Sequence, residues 1–156
     1  MSDIDREAIV RTIEEAREAI LELTGSLTPA QLGRETPCEG WSVKDLLAHM
    51  VASEASLVAS SRRALAGDPA RPAGHNVDRS NADQVESRRT TPLAELEREM
   101  RRNRHATLAL LAGLTDAQLE MPLEGPGGVM RNVAWRLQRI GEHEREHLGH
   151  LGAALK

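Results

Sequence analysis

The sequence has 156 residues and a formal net charge of -4, with acidic and basic residues interspersed. A chain of this length buries about 70% of its unfolded surface, so we expect one domain over residues 1–156. There is no Phe or Tyr, and Trp41 and Trp135 are the only tryptophans. A core of aliphatic side chains suits packed helices better than a β-sandwich. Without a basic face or aromatics for base stacking, we expect no nucleic-acid binding.

Membrane insertion and secretion are not expected either. No apolar stretch approaches the ~20 residues of a membrane span, and the N-terminus opens with Ser2, Asp3 and Asp5 rather than with a basic signal region. The single cysteine, Cys38, cannot form a disulfide within the chain, which is typical of a reducing compartment. We therefore expect a cytoplasmic protein.

The first helix is predicted from about Ile4 to Leu23, where apolar residues recur at steps of three and four. Ser2 or Asp3 can cap its start, and Gly25 can close its end.

The second helix is predicted to begin after Ser42, with Asp45 completing a capping box, and to stop at Gly67. Residues 68–91 are rich in Pro, Gly, Asn and Asp, which predicts a long connection with a short helix around residues 83–88.

The third helix is predicted to start at Thr91-Pro92, with Thr91 as its cap and Pro92 in its first turn, and to end near Gly113. The last periodic segment runs from Val129 to about Leu155. Four long amphipathic segments and no convincing strand pattern predict an all-α four-helix bundle. The expected inner line of the third helix is Leu93, Leu96, Met100, Thr107, Leu110 and Leu114.

Two short segments of similar sequence follow the first and third helices. In each, a Thr can cap a short turn while a Gln three positions later reaches back, as at Thr28 with Gln31 and Thr115 with Gln118. A recurring cap sequence and a structural repeat explain this equally well.

The fourth helix carries His143, His147 and His150 at positions i, i+4 and i+7. At about 100° per residue they lie within roughly 60° of arc and point the same way. His49 lies on the second helix among apolar neighbours. Unpaired imidazole nitrogens in an apolar core cost about 1–3 kcal/mol each, whereas one metal ion would satisfy several.

Three neutral imidazoles suit zinc, nickel, iron or copper rather than magnesium or calcium. Three protein ligands also leave one coordination position open for water or substrate, as in catalytic sites. We interpret the remaining histidines, His75 and His105, as solvated.

Three other residues near these elements have open roles. Cys38 is interpreted as a small residue in the turn before Trp41 rather than as a thiol-handling group, and Trp41 as a lid on the bundle end. Glu54 is interpreted as a carboxylate beside the site or on the surface, with a ligand role as the alternative. Asp78, Arg79 and Asn81 lie where a loop that contacts substrate could approach, and a helix-cap role explains Asp78 and Ser80 equally well.

The run from Thr36 to His49, Thr-Pro-Cys-Glu-Gly-Trp-Ser-Val-Lys-Asp-Leu-Leu-Ala-His, resembles the opening motif of a known family. The family is the mycothiol-dependent maleylpyruvate isomerase N-terminal domain family, which belongs to the DinB/YfiT-like superfamily of metal-binding four-helix bundles. The resemblance extends to residues 78–81 and 143–148 and covers essentially the whole chain.

The resemblance implies that His49, His143 and His147 are the metal ligands. His150 stands where relatives often have Gln, which implies a residue beside the ligands. The isomerase itself has a further C-terminal domain, whereas this sequence stops at Lys156. We therefore carry over the metal-bearing bundle and not maleylpyruvate isomerisation.

The implied function is that of a metal-dependent enzyme with a divalent transition metal, zinc or nickel. It would act as a transferase or isomerase that uses a low-molecular-weight thiol, such as mycothiol or bacillithiol, on an electrophilic substrate. One alternative is a metal-dependent hydrolase that activates water. The other is a non-catalytic bundle that binds a metal or a ligand.

We also expect a homodimer. Paired bundles are common in the superfamily, and the first and third helices carry apolar residues beyond one inner stripe, at Val10, Leu21, Leu108 and Leu111. Alternatively, the 68–91 connection folds over these residues within one chain.

Overall fold

The computed structural model describes residues 3–156 and has the predicted four-helix bundle architecture. Three short helices and a small hairpin connect the four long ones. The helices are α1 (Arg6–Thr24), α2 (Pro29–Leu32), α3 (Val43–Leu65), α4 (Val77–Ser87), α5 (Leu93–Gly113), α6 (Asp116–Leu119) and α7 (Val133–Ala154), and the strands are β1 (Pro122–Glu124) and β2 (Met130–Asn132). None of the helices within these residues combines the length and apolarity of a membrane span.

The first helix starts later than predicted. Asp5 is its N-cap, and its side chain accepts a hydrogen bond from the backbone N–H of Ala8. Asp3 therefore lies outside the cap, and Ser2 lies outside the described residues. Gly25 is the C-cap, as predicted, and its N–H bonds to the carbonyl of Leu21.

The predicted capping boxes form. Ser42 accepts from the N–H of Asp45 at 3.1 Å while the Asp45 carboxylate accepts from the N–H of Ser42. The two similar segments cap α2 and α6 through the same reciprocal pair of bonds. Capping boxes satisfy donors that helix starts leave open, so the one at Ser42 fixes where the histidine-bearing helix α3 begins.

The connection between the second and third long helices is more helical than predicted. It contains the eleven-residue α4, whose N-cap is Asn76. Asp78 and Ser80 lie inside this helix, so neither caps it. The following helix, α5, has Pro92 at its N-cap with no side-chain cap bond, so the predicted Thr91 cap was wrong.

A small antiparallel hairpin precedes the last helix, where the sequence predicted no strand. β1 pairs with β2 from Pro122 opposite Asn132 to Glu124 opposite Met130. The helix therefore begins at Val133 rather than at Val129, and the Asn132 side chain caps it. Three-residue strands with Pro and Gly in the turn give too short a pattern to recognise.

The N-terminal helix α1 packs directly on α7, and one glycine permits this approach. A Cβ on the buried Gly141 would lie 2.8 Å from three atoms of Thr12, two of them backbone. No real Cβ sits that close, so α1 lies against bare backbone of α7 at this point. The approach brings α1 onto the helix that bears two of the candidate ligands.

An ion network joins all four long helices inside the bundle. Arg17 of α1 and Arg104 of α5 both bind Glu54 of α3 and Glu144 of α7. The Nη2 atom of Arg17 lies 2.6 Å from a Glu54 oxygen, and Nε of Arg104 lies 2.8 Å from the other. Thr107 donates to Glu54 at 2.7 Å. All five side chains are buried.

The network keeps the Glu54 carboxylate ionised. Burial on its own would raise the pKa of Glu54, but the charges of Arg104 and Arg17 outweigh it and hold the pKa below its usual value. Glu54 is therefore neither a surface carboxylate nor free to serve as a ligand. The buried Arg104 also occupies the inner face of α5, between Met100 and Thr107, where the sequence predicted no charged residue.

The expected partner surface is only partly exposed. Val10, Leu21 and Leu108 are half-buried, but Leu111 is 2% exposed and belongs to the core, so its assignment to a partner surface was wrong. Val10 and Leu108 line a groove between α1 and α5. The α4 helix packs against α3, so the connection covers a different part of the bundle.

Replacing Gly141 by Ala is expected to destabilise the protein by about 1–3 kcal/mol, because the added methyl group overpacks the contact with Thr12. The control is Gly149→Ala on the same helix, where a Cβ meets nothing within 4 Å. That change should stabilise the helix by up to about 1 kcal/mol. Urea denaturation measures both, and equal effects would contradict the close approach of α1.

Replacing Glu54 by Gln is expected to cost about 3–5 kcal/mol, because it leaves two buried guanidinium groups with one carboxylate. The control is Glu142→Gln, which removes a surface ion pair with Arg139 and should change the unfolding free energy by no more than about 0.5 kcal/mol. Matching urea midpoints for the two variants would show that the network contributes nothing.

Candidate metal centre

His49 is placed by the capped start of α3. It lies two turns into the helix, between the fully buried Leu46 and Met50, and is itself 5% exposed. The loop before the helix adds a neighbour: the N–H of Thr36 donates to the carbonyl of Trp41 at 2.8 Å and closes a turn. Gly40 allows this turn with a φ of 70°. As a result, the Trp41 ring lies 4.9 Å from the imidazole of His49.

The other two candidate ligands lie one turn apart on α7. His147 is 6% exposed and His143 is half-buried. Their spacing of four residues directs both rings toward α3. Glu144, which the ion network holds inside the bundle, lies next to His143 and so helps to fix the rotation of the helix.

The three imidazoles meet at one point through the same kind of nitrogen atom. Nε2 of His143 lies 3.2 Å from Nε2 of His49 and 2.8 Å from Nε2 of His147. The three rings stand nearly edge to face, at 70° to 90° to one another. In a tetrahedral zinc site the ligand nitrogens lie about 3.3 Å apart, so these separations fit one ion with little adjustment.

The imidazoles are neutral near pH 7, which a metal ligand requires. Burial lowers the pKa of His49 to about 4. Burial, and then the neighbouring His147, His49 and Arg139, lowers the pKa of His143 to about 2. For His147, burial and then His49 and His150 lower the pKa to about 4, against the opposing effect of Glu146.

His150 contacts the opposite side of His147. Its Nδ1 lies 3.1 Å from Nδ1 of His147, so it supports that ring through the nitrogen that does not face the other two histidines. His150 thus lies beside a candidate ligand, and contacts of this kind fix the tautomer and orientation of a ligating imidazole.

The Cys38 thiol lies closer to the site than the sequence indicated. Its sulfur lies within 4.8 Å of nitrogens of His147 and His150, and the three form a second possible ligand group. Burial, and then Glu39, raises the pKa of the Cys38 thiol. A metal binds the thiolate, so this group is less suited to an ion at neutral pH than the three-histidine group.

Other predicted residues lie away from the imidazoles. His105 is exposed on α5, and His75 is exposed in the connection, although it lines a cleft that leads to the site. Ser80 and Asn81 line the same cleft and lie in the helix α4 rather than in a loop.

The cleft has a volume of about 220 Å³ and reaches His49 and His143 from one side of the bundle. Its wall also carries Arg71, Arg136 and Arg139, which the sequence analysis missed. Two of these precede His143 by four and seven residues on α7, and this helical spacing was a usable signal. The cleft gives small molecules access to the point where the imidazoles meet.

Three solved structures are similar to this chain. A mycothiol-dependent maleylpyruvate isomerase matches 96% of it with a TM-score of 0.81 at 14% identity. YfiT from Bacillus subtilis, described as a probable metal-dependent hydrolase with an unusual four-helix bundle topology, matches 99% of it with a TM-score of 0.82 at 18% identity. TT2238, described as a four-helix bundle protein, matches 96% with a TM-score of 0.69 at 20% identity.

The shared length differs among these structures. The chain spans 62% of the isomerase, 87% of YfiT and 99% of TT2238. At identities of 20% or less, the likeness shows a common fold and no more. No curated protein matches the sequence.

The sequence itself also matches a family. The model of the DinB superfamily matches residues 12–151, which include α3 and α5 whole, most of α1 and α7, and every histidine considered above. The resemblance found in the sequence is thereby confirmed at the level of the superfamily. The chain belongs to the DinB superfamily.

Proposed function

We propose that the protein is a metal-dependent enzyme in which His49, His143 and His147 hold one divalent transition metal, zinc or nickel. The observation that carries this proposal is the convergence of three neutral Nε2 atoms at the end of an open cleft. When bound, such an ion lowers the pKa of a thiol or water at its open position and supplies a nucleophile at neutral pH.

The protein's own residues hold and shield this centre. His150 fixes the ring of His147, and Trp41 covers one face of His49 with an apolar surface. His143 is the most accessible of the three ligands and lines the cleft. A reactant therefore approaches past His143, while the packed sides of His49 and His147 exclude water.

We propose a low-molecular-weight thiol, such as mycothiol or bacillithiol, as the second reactant, with transfer to or isomerisation of a small electrophile in the cytoplasm. Support comes from the structural likeness to a mycothiol-dependent maleylpyruvate isomerase. Because this chain spans 62% of that protein, its substrate is not carried over.

A hydrolase that activates water at the same centre is the second candidate. It is favoured by the likeness to YfiT, of which this chain spans 87%. The same three histidines would hold the metal, so the two candidates differ in what occupies the open position.

Removing a ligand should remove the metal. We expect His49→Ala, His143→Ala and His147→Ala each to lower metal content sharply, measured by elemental analysis of purified protein. His150→Ala should weaken metal affinity about 10- to 100-fold, as is typical when a residue supporting a ligand is lost.

The matched controls are histidines and a thiol outside the ligand set. His75→Ala, His105→Ala and Cys38→Ser should keep full occupancy, and loss of the metal in Cys38→Ser would favour the second ligand group. Equal occupancy in every variant would refute the three-histidine site.

Thiol binding separates the two candidates. In the cobalt-substituted Cys38→Ser protein, which has no thiol of its own, an added low-molecular-weight thiol should produce a thiolate-to-cobalt absorption band. No band with any thiol would favour the hydrolase. A band without turnover of any electrophile would favour a bundle that only binds its ligand.

We further propose that the protein forms a homodimer through the half-buried residues Val10, Leu21 and Leu108 on α1 and α5. Apolar surface on helices of a small domain is a common partner surface. Sedimentation equilibrium at micromolar concentration should give twice the chain mass, and replacing Leu108 by Arg should give the single-chain mass. A single-chain mass for the unaltered protein at every loading would contradict the dimer.

A further inference from the structure

The wall of the cleft has an unbalanced charge. Three arginines, Arg71, Arg136 and Arg139, line it together with uncharged residues, and no carboxylate does. Arg139 is neutralised from outside, because its guanidinium binds Glu146 at 2.9 and 3.2 Å. Arg71 and Arg136 form no ion pair with any carboxylate in residues 3–156.

Arg136 is buried without a counter-ion. It is 2% exposed, its Nη2 donates to the backbone carbonyl of Glu124 at 3.0 Å, and its Nε has no hydrogen-bond partner. The guanidinium carbon lies 5.5 Å from the ring of Trp135. The other two buried arginines, Arg17 and Arg104, each bind two glutamates. A buried charge is costly unless it is paired, so Arg136 differs from the arginines that stabilise the bundle.

A second positive charge, that of Arg71, lines the same cleft as Arg136. Burial, and then the charge of Arg71, lowers the pKa of Arg136, so the two cations repel each other. An anion between them would satisfy both, and guanidinium groups bind carboxylate and phosphate oxygens in a bidentate geometry.

The position of Arg136 relates this pair to the metal centre. Arg136 precedes His143 by seven residues on α7, which is two turns, or about 10 Å along the same helix face. A small molecule can therefore lie along α7 with one end at the arginines and the other at His143.

We infer that Arg136 and Arg71 form a subsite for an oxyanion, a carboxylate or a phosphate, of a small substrate whose reacting atoms lie at the three histidines. The part of this inference that concerns reacting atoms rests on the proposed function. Binding of the anion itself depends only on the cleft. The volume of about 220 Å³ limits the substrate to a small molecule.

The test uses the two tryptophans as separate reporters in the full-length protein. Trp135 lines the cleft beside Arg136, whereas Trp41 lies beside His49. Succinate, its uncharged diamide succinamide and inorganic phosphate are titrated while the indole N–H signals are followed by ¹H–¹⁵N NMR. We expect succinate to shift the Trp135 signal saturably and succinamide to leave it unchanged. If phosphate also shifts the Trp135 signal saturably, the subsite binds oxyanions in general. If only succinate does so, the subsite is specific for a carboxylate.

Substitutions test which side chains bind the anion. Arg136→Met keeps the buried bulk and removes the charge, and should weaken succinate binding about tenfold or more. Arg71→Met should also weaken succinate binding. Arg71 lies in the connection, where loss of the side chain spares the core. Arg145→Met, an exposed arginine on α7, is the control and should bind as the unaltered protein does.

Two results would overturn the inference. One is equal binding of succinate and succinamide, and the other is unchanged succinate affinity in both Arg71→Met and Arg136→Met. Failure of the proposed function is distinguishable from both. If zinc does not bind, or leaves the Trp41 signal unchanged, the metal centre is rejected. The Trp135 titration still reports on anion binding in that case.

Discussion

The architecture depends on one buried ion network that takes a single charged residue from each long helix. Arg17, Glu54, Arg104 and Glu144 meet inside the bundle with almost no exposure to water. Such groups tolerate little displacement, because a buried charge that loses its partner is strongly unfavourable. The network therefore sets not only that the helices pack but also how each is rotated about its axis.

That rotation also positions the three candidate ligands. Glu144 follows His143 directly, and Glu54 lies five residues after His49, so the network holds α3 and α7 close to these histidines. The candidate ligands and the ion network thus lie on neighbouring turns of the same two helices. The fully buried aliphatic side chains provide the cohesion, while the ion network gives the helices a unique register.

The sequence was sufficient for the four long helices and for the meeting of His49, His143 and His147, because both depend on local periodicity and on cap residues such as Ser42. It was not sufficient for Arg104, since an arginine in an apolar line resembles a surface residue until its partners on other helices are known. The hairpin before α7 was missed because strands of three residues show no alternation. Arg136 and Cys38 gained their significance only from neighbours distant in the chain, Arg71 in one case and His147 and His150 in the other.

The contact of α1 with α7 bears on how the chain folds during synthesis. Arg17 and its partner Glu144 are separated by 127 residues, which takes on the order of ten seconds to translate. Throughout that interval α1 has neither its main packing surface nor one of its two carboxylates. Contacts this remote in sequence slow folding. Here α7 supplies two candidate ligands, the carboxylate of Glu144 and the glycine, Gly141, against which α1 packs. The bundle therefore cannot close until α7 has emerged from the ribosome.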